Sequence, residues 1–389
     1  MIREILVTFY LFVFSAVFNI CKLFPLQNKV TFVVSFSENN KSIYKEMIRQ
    51  DFSCRTLFLT TEKMYGVFSK FEKATTLLFE MKKPLDFMRS IYHLATSKVI
   101  LVDNYYGFLA KSEFKPGVDC IQLWHANGAI KKFGLKDPSV ESRSSRAKGR
   151  FKAVYDRFTR VVVGSEAMAE IFRGAFGVTE DRLLRTGIPR TDVFFDQTAQ
   201  LRAKSKLYKK FPFLKEKKVL LYAPTYRENQ LSSAEIKLNL KKLALQFEDE
   251  YILLLKLHPA VKNDLCIPAE LSHFAYDFSG WHQLNELLFI SDMLITDYSS
   301  VPFEYSLLNR PIIFFWYDLG QYEKERGIWE NFMSLLPGPV AHTSEEVAAY
   351  ISRMKADHES THLFSSKWNE YSKGESSRNI LDYIRKKID

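Results

Sequence analysis

Two successive α/β units, each with a parallel sheet covered on both faces, are what the sequence predicts. Three observations carry this. Short β-rich runs alternate with helix-like segments. The alternation pauses at a lysine-rich stretch and then begins again. The length of 389 residues exceeds one typical core and suits two.

In the first unit, Val30 to Ser35 (VTFVVS), Arg55 to Thr60 (RTLFLT) and Lys98 to Val102 (KVILV) read as strands, with more at Cys120 to Leu123 and Arg160 to Val163. Lys41 to Arg49 and Pro84 to Thr96 read as helices between them. Glu141 to Lys152 is polar and basic, a loop or the start of a basic helix. Leu201 to Lys218 reads as the crossing between domains. The second series has strands at Lys218 to Tyr222, Tyr251 to Leu257, Phe274 to Asp277, Met293 to Thr296 and Pro311 to Phe315. Helices fall at Ile236 to Phe247, His282 to Ser291 and Val301 to Leu308, and Thr361 to Ile388 returns to helix. These are two Rossmann-like units. The expected domains are an N-terminal helix over 1–25, a first unit over 26–210 and a second over 211–389 that includes the C-terminal helix.

A composition of 47% hydrophobic and 26% charged residues excludes a mainly disordered chain. The net charge of +10 favours anionic partners, whether lipid, nucleic acid or phosphorylated ligand. Nucleic acid is not expected, since zinc-finger spacing, RNP-like aromatics and a basic zipper are all missing from the sequence. Cys21, Cys54, Cys120 and Cys266 are scattered without a CxxC pair, which argues against a metal site or a disulfide framework. Ile2 to Phe24 is apolar and aromatic but interrupted by Arg3, Glu4, Asn19 and Lys22. It lacks a small-x-small cleavage site. It reads as an interfacial helix, with a true span or a helix packed on the protein's own core as alternatives.

In doubly wound sheets, ligands bind beyond the carboxyl ends of strands, and polar residues cluster there in this chain. Trp124-His125-Ala126-Asn127-Gly128 follows the Cys120 strand. Histidine is the side chain suited to accept a proton near neutral pH, and small neighbours admit a ligand. Gly187-Ile188-Pro189-Arg190-Thr191-Asp192 offers an arginine fork for a phosphate, or an Arg–Asp structural pair. Pro224-Thr225-Tyr226-Arg227 and Lys256-Leu257-His258-Pro259 end two strands of the second unit. Asp297-Tyr298-Ser299-Ser300-Val301-Pro302-Phe303-Glu304 places hydroxyls at a helix N-terminus, where free N–H groups favour an anion. Ser299 also fits plain N-capping.

With these pieces in order along nearly the whole chain, the sequence resembles the CDP-glycerol glycerophosphotransferase family of teichoic-acid synthesis. The matching stretches are WHANGAIKKFG at 124–134, GSEAM at 164–168, TGIPRTD at 186–192, LYAPTYR at 221–227, KLHP at 256–259 and ITDYSSVPFEYSLLNRPIIFF at 295–315. Many relatives read WHGTPLKK where this chain has WHANGAIKK. That variant, with NYY at 104–106 and SSVPFEYS at 299–306, resembles the short priming type rather than the long polymerases.

The resemblance implies the GT-B fold, two Rossmann-like domains facing across a cleft. It implies transfer of glycerol phosphate from CDP-glycerol to an undecaprenyl-diphosphate-linked ManNAc-GlcNAc disaccharide, with release of CMP. A polymerase or second-unit transferase of the same family, or a GT-B enzyme using nucleotide sugars, are the alternatives, and a non-catalytic membrane scaffold is the rival from another class. His125 is then the expected base and His258 the expected partner of the leaving CMP. Trp124, Ala126, Asn127, Gly128, Arg190, Pro224, Thr225, Arg227, Lys256, Asp297, Ser299, Ser300 and Glu304 are the expected substrate contacts. No protein metal site is expected, though Mg2+ can ride on the substrate diphosphate. The expected location is peripheral, on the cytoplasmic face of a Gram-positive cell membrane, through Ile2 to Phe24 and the basic stretch Arg143 to Arg160.

Overall fold

The computed structural model describes residues 2–225, 227, 236–258, 265, 267–329, 332, 336–353 and 358–388. Tyr226, Pro259 and Cys266, which the sequence reading touches, lie outside the described residues. The chain forms two compact units, one of residues 1–127, 133–192 and 370–389 and the other of 128–132 and 193–369.

The first unit holds a seven-stranded sheet of order β3-β2-β1-β4-β5-β6-β7. Its strands are β1 (Gln27–Val34), β2 (Arg55–Thr60), β3 (Ala74–Leu78), β4 (Ser97–Val102), β5 (Asp119–Gln122), β6 (Arg160–Val162) and β7 (Leu183–Leu184). All pair in parallel, as in Thr31 opposite Ile100 between β1 and β4. Helices Glu38–Arg49, Pro84–Thr96, Glu166–Phe176 and Ser376–Ile388 belong to the same unit. Cover on both faces is why β1, β2 and β4 are apolar runs rather than alternating ones. Val30, Phe32, Phe58, Leu101 and Ile121 share one core with Ile380 and Ile384 of the C-terminal helix.

The second unit repeats the plan with a six-stranded sheet of order β10-β9-β8-β11-β12-β13. Its strands are β8 (Lys218–Ala223), β9 (Tyr251–Leu255), β10 (Ala275–Asp277), β11 (Met293–Thr296), β12 (Ile312–Phe315) and β13 (Val340–Ala341), again parallel throughout. Leu220, Leu253, Ile295, Ile313 and Phe315 build its core with Leu243 and Phe247 of the helix Leu240–Phe247.

The structure corrects the expected domain limits. The first unit ends at 192, not 210, and the lysine-rich stretch is a helix, Gln197–Lys210, of the second unit. The C-terminal helix Ser376–Ile388 belongs to the first unit, not the second. Asp192 caps it, accepting from the backbone N–H of Ser376 at 2.9 Å and of Ser377 at 2.8 Å. Gly187 (φ 78°) lies against it so closely that a Cβ would come within 2.4 Å of Ser376 Oγ and of the Tyr371 carbonyl. The stretch from Thr361 is two helices, His358–Trp368 and Ser376–Ile388, rather than one.

The N-terminal helix Ile2–Cys21 is part of the first unit rather than a separate domain. Phe14 and Phe18 are fully buried. The Phe14 ring lies 5.2 Å from that of Phe108, and Phe18 meets Phe114 at 5.7 Å. The other face stays open, with Ile5, Leu6, Phe9 and Phe12 each about 60–70% exposed. By length and composition alone, the stretch Glu4–Cys21 is apolar enough to cross a membrane.

Candidate active site

The order of the first sheet reverses between β1 and β4, and ligands bind beyond strand ends at such a switch point. Asp103 stands there, directly after β4, and is wholly buried. Its carboxylate accepts from the N–H groups of Ser35 and Phe36 after β1, at 2.9–3.0 Å, from Asn40 Nδ2 at 2.8 Å and from Tyr106 Oη at 2.6 Å. Burial nevertheless raises its pKa to about 6, against the lowering by those donors. This knot ties the ends of β1 and β4 together and fixes the Asp103 backbone.

His125 is delivered to that knot from β5. Trp124 adopts a left-handed backbone, φ 57°, which is strained for a residue with a side chain and turns the chain sharply after the strand. The turn is held by Trp124 N–H donating to Gln122 Oε1 at 2.9 Å and by the Trp124 ring stacking on Phe133 at 4.6 Å. The imidazole stacks on Phe36 at 4.3 Å, and its Nδ1 lies 3.3 Å from the Asp103 carbonyl oxygen. A carbonyl can only accept, so Nδ1 carries the proton and Nε2 keeps its lone pair. Burial lowers the pKa to about 4, and nearby Arg190 pushes in the same direction against the Asp103 hydrogen bond. The ring is therefore neutral at pH 7 and presents a proton acceptor.

Arg190 braces the same loop. Its Nη1 donates to the His125 carbonyl at 2.6 Å, its backbone N–H to Asn39 Oδ1 at 3.0 Å, and Asn39 Nδ2 donates to the Trp124 carbonyl at 2.9 Å. Arg190 and Asp192 thus serve different partners and are not a pair.

The second sheet reverses between β8 and β11, and a second polar cluster stands at that point. Asp297, after β11, is buried and accepts from Thr225 N–H at 2.8 Å, Thr225 Oγ1 at 3.0 Å and Arg227 Nη1 at 3.1 Å. Arg227 also makes a bidentate pair with Asp318, after β12, at 2.8 and 3.0 Å. Burial raises the Asp297 carboxyl, and Arg227 and Thr225 oppose it. The guanidinium lies over Tyr322 at 4.8 Å and Tyr298 at 5.3 Å, two rings stacked 3.7 Å apart.

Not every expected contact joins these clusters. Lys256 donates its ammonium to the Ser279 carbonyl at 2.7 Å, and Glu304 is buried in its helix. Ser299 Oγ accepts from Val301 N–H at 3.1 Å, Ser300 is the N-cap but makes no side-chain capping bond, and the helix behind them runs only from Val301 to Tyr305, too short for a full dipole. Ser300 and Pro224 are half-exposed beside the cluster. Asn127 is buried and Ala126 half-buried behind His125. Gly128 admits no side chain, since a Cβ would sit 2.4 Å from the Phe303 ring. His258 follows β9 and is exposed. Sequence reasoning missed Asp103, Asn39, Tyr106 and Asp318. The only signal for Asp103 was its position after an apolar strand. Among the described residues no group of three His, Cys, Asp or Glu side chains is placed to hold a metal ion.

Residues 16–386 match the family described as CDP-Glycerol:Poly(glycerophosphate) glycerophosphotransferase. The chain is 36% identical over 387 residues to a teichoic acid glycerol-phosphate primase of Bacillus subtilis (strain 168), covering 100% of this chain and 99% of that one. It is 35% identical to a teichoic acid poly(ribitol-phosphate) polymerase of Bacillus spizizenii, over 95% of this chain and 58% of the polymerase. The solved wall teichoic acid polymerase TagF superposes with a TM-score of 0.79 at 24% identity, covering 100% of this chain and 98% of that one.

Proposed function

The chain belongs to the CDP-glycerol:poly(glycerophosphate) glycerophosphotransferase family, and from that premise we propose that it primes teichoic-acid synthesis, moving one glycerol phosphate from CDP-glycerol to a lipid-linked disaccharide. A sugar hydroxyl of the acceptor attacks the β-phosphorus that bears the glycerol. The new P–O bond forms as the bond to CMP breaks. The hydroxyl proton passes to His125 Nε2. The observation that carries this reading is the neutral His125, held with Nδ1 toward Asp103 and Nε2 unprotonated at the switch point of the first sheet. The two units take the GT-B division of labour, the first serving the acceptor and the second the donor, where the Asp297 cluster and His258 meet the CDP moiety. The superposition on TagF along the whole chain supports the two-unit fold on which this division is drawn.

Enzyme, CDP-glycerol and a synthetic undecaprenyl-diphosphate disaccharide, followed by mass spectrometry of the product, test this directly. One added glycerol phosphate with release of CMP is expected. Transfer from a nucleotide sugar in place of CDP-glycerol would overturn the reading. A polymerase is the second reading, favoured by the 35% identity to the ribitol-phosphate enzyme, and a ladder of products would mark it. Mg2+, where it takes part, arrives on the donor diphosphate, so EDTA should slow transfer without lowering the melting temperature of the enzyme.

The acceptor lies in a bilayer, and the protein meets it as a peripheral enzyme on the cytoplasmic face. One face of the N-terminal helix is needed for the core, and the exposed Phe9 and Phe12 face is free to enter the lipid interface. The basic helix Ser145–Tyr155 is tied to it by Arg150 and Glu4, 2.8 Å apart, and adds charge for anionic lipid.

A further inference from the structure

The segment Gly128–Lys132 belongs to the second unit. Lys131 forms an antiparallel bridge with Ile328, flanked by Trp329 N–H to the Ile130 carbonyl at 2.9 Å and Lys132 N–H to the Gly327 carbonyl at 3.2 Å. Those bonds fix the backbone on both sides of Lys131. Its ammonium lies 5.5 Å from the centroid of Tyr322, the ring that also underlies Arg227.

Here the charges do not balance locally. Asp297 and Asp318 are already engaged by Arg227, and Thr225 also bonds Asp297. Among the described residues no carboxylate lies within ion-pair distance of the Lys131 ammonium. The charged groups that act on it are Asp297, which favours its charge, and Arg326 and Arg227, which oppose it, while burial is the largest influence and lowers its pKa to about 8. A half-buried ammonium held in a fixed strap, on an aromatic floor and, among the described residues, without a counter-ion, is an arrangement that an anion completes.

We propose that Lys131 binds the diphosphate of a nucleoside-diphosphate-linked donor at the Asp297 cluster, so that the chain segment following the catalytic histidine supplies the donor site with its cation. This rests on the function proposed above. It predicts a residue that governs donor affinity rather than proton transfer.

Calorimetric titration of CDP-glycerol into the full-length protein, with steady-state kinetics, tests it. Lys131→Met should weaken donor binding and raise KM roughly 10- to 100-fold, the scale of one charge-assisted contact, while kcat changes much less. Lys131→Arg should recover most of the affinity. Wild-type affinity should fall as pH rises from 7 to 9.5, and Lys131→Arg should be flat over that range because its guanidinium keeps its charge. Lys136→Met, an exposed lysine of the same loop, controls for net charge and should bind as wild type does. Equal affinity of wild type and Lys131→Met, or a pH dependence that survives in Lys131→Arg, would overturn the proposal. Failure of the wild type itself to bind CDP-glycerol would instead sink the functional reading on which it rests.

Discussion

Arg190 Nη1 donates to the backbone carbonyl of His125 at 2.6 Å, and so holds the His125 loop by its main chain rather than by the imidazole. Arg190→Ala removes that bond and a positive charge that disfavours the imidazolium. Two effects should follow. kcat should fall roughly 10- to 100-fold, as a loosened base costs, and less than in His125→Ala. The acid limb of the kcat/KM profile should move to higher pH, because the His125 pKa rises from about 4 once the charge is gone. An Arg190→Ala enzyme with raised KM and an unmoved acid limb would assign the guanidinium to substrate phosphate instead.

The difference between what the sequence shows and what the fold shows is clearest around these residues. His125 is legible because the Cys120 strand, the small residues after it and the strand-end rule all lie within one stretch of chain. Asp103 is not, because its partners Ser35 and Phe36 follow a strand 68 and 67 residues away in sequence, and only the β1–β4 pairing joins them. The partners of Arg227 are hidden in the sequence for the same reason. The carboxylates that hold it, Asp297 and Asp318, are 70 and 91 residues distant. β3 escapes because ATTLL is short and half-exposed at a sheet edge, and β7 and β13 because two residues carry no period. The C-terminal helix looks like the end of the second unit until its cap, Asp192, is seen.

Asp103→Asn should cost both stability and turnover. The amide retains one oxygen for four donors, and its NH2 faces N–H groups that already need acceptors. A loss of ~2–4 kcal/mol in urea unfolding at pH 7 is expected. The pH dependence has a definite sign. The folded pKa of about 6 lies above the ordinary Asp value, so the wild-type carboxyl contributes stability that is complete below about pH 4 and is lost as pH rises through 6. Asp103→Asn should lack that component. An unchanged slope of stability against pH between 4 and 7 would contradict the assignment.

Arg227→Met leaves two carboxylates, one of them fully buried, without their cation. The expected destabilisation is ~3–5 kcal/mol, the range for breaking a buried pair from one side. Asp297→Asn should cost less, since the amide oxygen still accepts from Thr225 N–H and Arg227 keeps Asp318. Chemical unfolding of the two variants should rank them in that order. The reverse order would mean that Arg227 is held mainly by solvent and is available to substrate.

Lys29 is buried at the start of β1, bonded to Thr96 Oγ1, Gln27 Oε1 and His93 Nδ1. Burial, and then Arg55, lowers its pKa to about 7 from 10.5. Between those values the unfolded chain binds the extra proton, so stability rises with pH, and the cost of burying the lysine is full below pH 7. Lys29→Met should therefore stabilise the protein by ~2–4 kcal/mol at pH 7, and the gain should shrink steadily toward pH 10. A gain that stays constant with pH would trace to packing alone.

In the membrane docking proposed above, the N-terminal helix gives one face to folding and the other to the lipid. Phe14 is buried among Phe18, Phe79 and Phe108, so Phe14→Ala should cost ~3–5 kcal/mol of stability. Phe9 and Phe12 are 59% and 70% exposed, and their replacement together by glutamate should leave the melting temperature within a degree or two. The same double variant loses two rings that would enter the lipid and gains two charges that anionic headgroups repel. Its partition onto vesicles containing phosphatidylglycerol should drop at least ~10-fold. Transfer to a membrane-embedded acceptor should fall with it, while transfer to a detergent-soluble short-chain analogue should not. Vesicle binding retained in the double variant would move the docking surface off this helix and onto the basic helix Ser145–Tyr155 alone.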